Sequence, residues 1–404
     1  MNRNLKYIAF AMVSVALSSC SSTDEPNTCP SSEDYICFGM PTVNVDATLS
    51  DFADNSKTRA IPSWTTIDRF QVWGFCVPNN ISGTQNASAA DQEWNDKSTF
   101  FTSDNCGDVL HDKTVATDDG FAYYNINNNN LPNKNNYGFK IWDNVSSLPN
   151  ARYAFIAGFV PNGMGSFSMA KGFQTTNTDE NGKNMSYGPK LTFTIAQNGS
   201  ALTTPLDYTK QPDALVAAKF DHRKRDGRVS LSFFHFMTGI RFKFHNYTSD
   251  KVLRIKSVTY SGKFHKTAVF DFTTDNPVMT VKDSYSGIFT LFNGEQSIPA
   301  SAADYMSESG TPVTLLLLPN PDGTTDPDGK FVLGSDKEIK IVYSIGDGPE
   351  RTFTYGPNFT LNYIPKPNTL HTAHFNFVGD EFVVMFQADE NNWQNGSDNN
   401  VTIN

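Results

Sequence analysis

The sequence has no long apolar run at helical period and no heptad repeat, which excludes a helical bundle or coiled coil as its main architecture. Basic residues are in deficit: 32 Lys and Arg stand against 42 Asp and Glu, for a formal net charge of -10. No Lys/Arg-rich face is evident to neutralise phosphates, so nucleic acid is not an expected partner. Cysteine is scarce, five in 404 residues, irregularly spaced and without a C-x-x-C pair, which argues against metal binding. The motifs G-x-S-x-G and H-E-x-x-H and a Walker-type glycine loop are also missing. With no paired carboxylates to locate either, the reading is a non-enzyme with no cofactor.

A chain of 404 residues is long enough for two or three domains, each with a real core. Its 32 Phe and 15 Tyr, together with runs of strand length, predict an all-β fold. The N-terminus carries the strongest signal. Arg3 and Lys6 precede an apolar run from Tyr7 to Leu17, and Leu17-Ser18-Ser19-Cys20 then matches a bacterial lipobox. The run is too short to span a bilayer, so residues 1–19 read as a cleaved export signal. Acyl chains on Cys20 would hold the protein to a membrane by burying methylenes. Nothing later in the chain reads as a membrane span. Ser21 to about Glu33 is small, polar and acidic, as suits a tether.

Two strand-like segments follow, with a basic site between them. In Ile36 to Asp46, Ile36, Phe38 and Met40 share one face, and Val43 and Val45 follow after a phase slip at Pro41. Phe70 to Val77 is apolar on both faces and is expected to be buried. Between them lies Lys57-Thr58-Arg59-Ala60, whose arginine a trypsin-like protease could reach on an exposed loop. A cut there would separate a strand from the sheet it completes. Residues 20–59 are therefore read as tether and removable strand. If that piece leaves, Cys76 and Cys106 are the one pair available for a bridge, although buried thiols are the simpler reading.

Pro78 to about Asn136 is rich in Asn, Asp, Ser and Thr and reads as a long loop insertion. Phe139 to Trp142, Tyr153 to Val160, Leu191 to Ala196 and Asp213 to Ala218 read as strands closing a first sandwich over residues 60–224. The charged turn His222 to Gly227 marks the expected boundary. Residues 225–404 form the second unit, which opens on the clearest β pattern, Arg228 to His245. There Val229, Leu231, Phe233, His235 and Met237 share a face, and the phase flips at Thr238-Gly239 as at a bulge or a corner between sheets. The expected second core holds Val229, Leu231, Phe233, Ile240, Phe242 and Phe244. Later strands end with Phe382 to Gln387, where Phe382, Val384 and Phe386 alternate with Val383 and Met385.

His371 and His374 come nearest to a metal spacing, but residues three apart on a strand point to opposite faces. His235 reads as a hydrogen-bonded core histidine. Asp322-Gly323 and Asp326 to Gly329 read as turns rather than calcium loops. Trp73 and Trp142 sit in strands and belong in a core, whereas Trp94 and Trp393 are candidates for a sugar-stacking platform. A monomeric surface glycan-binding lipoprotein is therefore the competing function.

Taken in order, five pieces resemble the fimbrillin-like pilins of Bacteroides-type bacteria. They are the lipobox with its acidic tether, a strand followed by K-T-R-A, F-Q-V-W-G-F, D-A-L-V-A-A, and V-S-L-S-F-F-H-F-M-T-G-I-R-F-K-F. The resemblance covers essentially the whole chain. It implies two transthyretin-like β-sandwich domains, export as an outer-membrane lipoprotein and cleavage after Arg59, before Ala60, by an arginine-specific protease. It also implies that other fimbrial subunits fill the vacated groove with a strand, which makes the function a cell-surface adhesive fibre. The candidate donor is Phe382 to Ala388 with the tail beyond it, since such a segment can pair by backbone and fill pockets by side chains.

Overall fold

The computed structural model describes residues 32, 34–43, 67–77, 107–118, 121–127, 131–133, 135–142, 152–169, 174–178, 184–187, 190–272, 278–308, 310–319, 337–356, 367–388 and 401–402. Among the described residues there is no α-helix, and the helical elements are two single 3₁₀ turns, Tyr208–Lys210 and Lys224–Asp226. The protein is all-β, as its aromatic, strand-length segments require.

The first sheet has seven strands, in the order Thr42–Val43, Ser232–His235, Leu215–Arg223, Arg152–Phe159, Arg69–Val77, Gly107–Asp118 and Phe121–Tyr123. Its central strands are apolar on both faces because both faces are covered. Phe70, Val72, Phe155, Ala157, Leu215 and Ala217 point into one core. Trp73, Phe75, Ala154, Ile156, Val216 and Ala218 point into the other.

A long hairpin, Leu253–Asp271 with Val278–Ile298, joins the two halves of the molecule. One end of it pairs with Glu338–Ile345, and the other end, from Thr267, pairs with Lys190–Ile195. Lys190–Ile195 also pairs with Gly165–Met169. This far end covers the first sheet, where Phe167, Phe193 and Phe270 surround Phe236 at centroid distances of 6.2, 5.1 and 4.8 Å. Gly158 permits the approach, because a Cβ there would lie 2.5 Å from the Phe167 ring. The near end packs on the third sheet, ordered Ala302–Tyr305, Thr238–Asn246, Thr369–Val378, Glu381–Ala388 and Val401–Thr402, with Thr314–Leu317 also pairing with Thr238–Asn246.

Three sequence expectations change. The first sheet runs past the expected boundary at His222 to Gly227, because Ser232–His235 pairs with Leu215–Val216. The chain changes sheet between His235 and Thr238, so the phase flip at Thr238-Gly239 is a corner between sheets. Val229, Leu231 and Phe233 consequently lie in the first core, while Ile240, Phe242 and Phe244 lie in the second. Strands assigned by sequence to the first sandwich, such as Lys190–Ile195, share a sheet with the long hairpin. Finally, the Asn-rich insertion contains Gly107–Asp118, a strand whose polar composition hid it.

A candidate strand-acceptor groove

The first core has a second wall made of short, irregular segments. Asp34 to Val43 lies within this wall rather than on its rim. On one flank it pairs antiparallel with the chain around Ile141, through Trp142 N–H to Asp34 O (3.1 Å) and Ile36 N–H to Lys140 O (2.8 Å). On the other flank it runs parallel to Val229–Phe233. There Val229 N–H donates to Cys37 O (2.7 Å), Gly39 N–H to Val229 O (3.0 Å) and Thr42 N–H to Leu231 O (3.1 Å).

Proline sets the register of this arm. A parallel ladder takes a donor from every second residue, so the donor after Gly39 falls at position 41, which is Pro41 and has no N–H. Thr42 donates instead, and Met40-Pro41 forms a bulge of one extra residue. Ile36 and Phe38 are buried, at 0% and 3% exposure, whereas Met40 is 45% exposed. The phase slip expected after Met40 thus takes effect at Met40 itself, which leaves the buried face. Val43 packs partly on the core, and Val45 lies outside the described residues.

The floor under the arm is aromatic. The Phe38 ring meets Phe70, Tyr124 and Phe155 edge-on, at centroid distances of 6.0, 5.7 and 5.6 Å. The Tyr124 hydroxyl donates to Ile36 O (2.7 Å) and accepts from Lys140 N–H (2.9 Å), joining the arm to its flank. Burial drives the Tyr124 phenol well above its ordinary pKa, so it stays a donor. The indole N–H of Trp142 donates to Ser32 O (3.0 Å), and its ring stacks on buried His222 at 5.7 Å. Burial holds His222 below the usual histidine pKa and neutral. Cys37 is disulfide-bonded and Cys76 is a buried thiol.

Burial of Ile36 and Phe38 contributes about 1.5–3 kcal/mol each before entropy, less than five buried side chains would give. Without the arm, the backbone groups of Lys140, Trp142, Val229 and Leu231 lose their partners above an apolar floor. Sequence reasoning identified the arm but not these walls. Phe139 to Trp142, expected as a strand, forms only an isolated bridge between Ile141 and Tyr35, and nothing in its sequence announces that partner.

Cys20, Arg59, Ala60, Trp94 and Trp393 lie outside the described residues. The proposed donor Phe382 to Ala388 does not lie free. Glu381–Ala388 pairs along its length with Thr369–Val378. Phe382 and Val384 are buried in the second core, with the Phe382 ring 5.0 Å from Tyr343 and 5.1 Å from Phe377. The segment closes the chain's own sheet. Phe386 contributes backbone pairing to both Ala373 and Val401. His235 is a core histidine, its Nδ1 2.6 Å from Asp213 Oδ1. His371 lies on the core side of its strand and His374 on the other, so they do not converge.

No curated protein matches the sequence. Solved structures resemble it at low identity. A Bacteroides ovatus protein described as a cell adhesion protein is 14% identical, covers 92% of this chain and 99% of its own, and gives a TM-score of 0.38. A Parabacteroides distasonis fimbrial assembly protein is 11% identical, with coverage of 83% and 92% and a TM-score of 0.28. A Bacteroides thetaiotaomicron protein described as polysaccharide-binding is 10% identical, with coverage of 84% and 91% and a TM-score of 0.34. The model of the fimbrillin-like family matches residues 183–404, more than half of the chain. The chain belongs to the fimbrillin-like family.

Proposed function

We propose that the chain is a structural subunit of cell-surface adhesive fimbriae, exported as a lipoprotein acylated at Cys20 and polymerised by strand exchange after cleavage between Arg59 and Ala60. One observation carries this reading: Asp34 to Val43 bonds through Asp34 and Ile36 to the chain at Lys140 and Trp142, through Cys37, Gly39 and Thr42 to Val229 and Leu231, and seats Ile36 and Phe38 on an aromatic floor. Its loss leaves two unpaired flanks facing each other across an apolar slot. A strand from a neighbouring subunit repairs both defects, by backbone pairing and by side chains in the vacated pockets. The donor is the tail beyond Ala388, since Phe382 and Val384 already fill the chain's own core.

The test is N-terminal sequencing of fibres extracted from the surface, alongside an Arg59→Ala chain. Assembled material is expected to begin at Ala60, and the variant to remain monomeric and membrane-bound. Fibres that begin at Cys20, or that form normally from the variant, would overturn the proposal.

A further inference from the structure

The outer face of the third sheet carries cations, although the chain as a whole has a net charge of -10. On Thr238–Asn246 the side chains of Ile240, Phe242 and Phe244 fill the core, so Arg241, Lys243 and His245 point outward. Tyr305 shares that face on Ala302–Tyr305, His374 and Asn376 share it on Thr369–Val378, and Val383 and Met385 share it on Glu381–Ala388. Among the described residues of these strands the one carboxylate on this face is Glu381, at the rim beyond Val383. Asp304 lies on the other side, where it accepts from Gln296 (3.2 Å). Lys190, Arg254 and Arg351 each stand 3.5 Å or less from a carboxylate, whereas Lys243 has no such partner among the described residues. Its ammonium lies over the Tyr305 ring, 4.8 Å from the centroid.

Beside this ammonium two imidazoles are joined by a hydrogen bond, with His245 Nε2 2.9 Å from His374 Nδ1. Whichever ring donates, the neutral pair turns one N–H and one bare nitrogen outward. Burial first, then the charge of Lys243, holds His245 below the usual histidine pKa, and burial with His245 and Lys243 lowers His374 to about 4. Lys243 thus acts on both rings with no anion to offset it. Tyr247 continues the row. Its backbone N–H donates to Phe377 O (2.9 Å), and its ring, 59% exposed, lies 8° from the plane of His245 at a centroid distance of 5.9 Å. The face therefore offers a flat aromatic shelf next to an uncompensated positive charge.

We propose that this face binds an acidic saccharide, with a uronate or sulfate group between Lys243 and the histidine pair and the adjoining sugar ring on Tyr247. The anion supplies the counter-charge that Lys243 lacks and accepts from the outward N–H of the pair. The negative π-face of Tyr247 suits the C–H groups of a pyranose. Thr238–Asn246 and Thr369–Val378 are each paired on both sides, so an acidic peptide finds no strand edge to join here. The groups facing the pair are Arg241 and Lys243 on the strand of His245, Tyr305 on one side and Glu381 at the rim. A bound anion favours the protonated pair, in which both outward nitrogens donate, so the complex holds a proton that the free protein does not. Affinity therefore rises as the pH falls. An uncut monomer carries the whole face, so this site stands apart from strand exchange.

The experiment follows the anisotropy of labelled hexagalacturonate, its methyl ester, a sulfated galactose hexasaccharide and hexaglutamate on titration with the full, uncut chain at pH 7.5 and pH 5.5. At least one of the two anionic sugars is expected to bind, which names the acidic group, and the ester and hexaglutamate at least tenfold more weakly. Lys243→Met should weaken the sugar at least tenfold and Tyr247→Ala at least threefold, whereas Lys340→Met, an exposed lysine on another sheet, should change nothing. The parent should bind at least threefold tighter at pH 5.5 than at pH 7.5, and His374→Gln should lose that gain. Binding of neither anionic sugar overturns the site, as does an ester that binds equally or a Lys243→Met chain that binds like the parent. Equal loss in Lys340→Met would show attraction by charge alone and overturn it too. Hexaglutamate binding as tightly as the sugar would give the face to acidic peptides and overturn the saccharide.

Discussion

Among single residues, Tyr124 bears most directly on how the arm is held. Its hydroxyl serves Ile36 O and Lys140 N–H at once, in a site without solvent. Tyr124→Phe keeps the ring under Phe38 but strips a partner from each backbone group, a loss of about 1–3 kcal/mol. Urea unfolding of the uncut chain is expected to show it, and the same substitution in the chain beginning at Ala60 should cost less, because Ile36 is gone. Equal losses in the two forms would show that the hydroxyl does not hold the arm.

His371 offers a second residue-scale test. It is 3% exposed and burial lowers its pKa to about 3. The unfolded chain takes up this proton near pH 6.5 and the folded chain does not until about pH 3, so stability falls as the pH drops below about 6.5. The slope from one such group approaches about 1.4 kcal/mol per pH unit. Comparing urea midpoints at pH 7 and pH 5 should show a smaller drop for His371→Asn than for the parent. An identical drop would mean that the ring protonates without opening the core.

At the scale of the element, the arm predicts its own replacement. A chain beginning at Ala60, mixed with a synthetic peptide of residues 34–43 carrying Ser in place of Cys37, is expected to take the peptide up. The Trp142 environment, lined by Tyr153 at 4.8 Å and by His222, gives the fluorescence readout. A peptide with Phe38→Asp should not bind, since a carboxylate on the aromatic floor would be buried without a partner. Equal binding of both peptides would place the site elsewhere.

The same element shows how far the sequence could be read. Alternation gave the buried face at Ile36 and Phe38, because both carry large apolar groups two residues apart. It failed at Met40, where the missing N–H of Pro41 moves a hydrogen bond by one residue, a cause that hydrophobicity does not record. The alternation from Val229 to Phe233 was read correctly, yet its sheet was not. Which sheet a strand joins depends on pairing with residues far off in sequence, here Leu215 and Val216. The arm was legible, whereas its walls at Lys140 and Val229 are tertiary facts.

For the whole molecule, the question is which part of one subunit can enter the groove of the next. Glu381–Ala388 cannot leave without taking Phe382 and Val384 from the core shared with Tyr343 and Phe377. Emptying two such positions costs several kcal/mol in the donor, which sets donation against the donor's own folding. A chain cut after Ala388 keeps Phe382 and Val384 in place, and Val401–Thr402, which pairs by backbone with Met385 and Phe386, is in strand form. A truncation at Ala388 should therefore fold with an unchanged urea midpoint, whereas one at Asp380 should lose much of its stability. Mixed with cleaved full-length subunits, the Ala388 truncation still offers a groove but no donor, so it is expected to cap growing fibres and lower the light-scattering plateau in proportion to its share. If fibres made with it grow as fast and as long as those without it, the donor lies outside residues 389–404, and the search moves to the other exposed edges of the sheets.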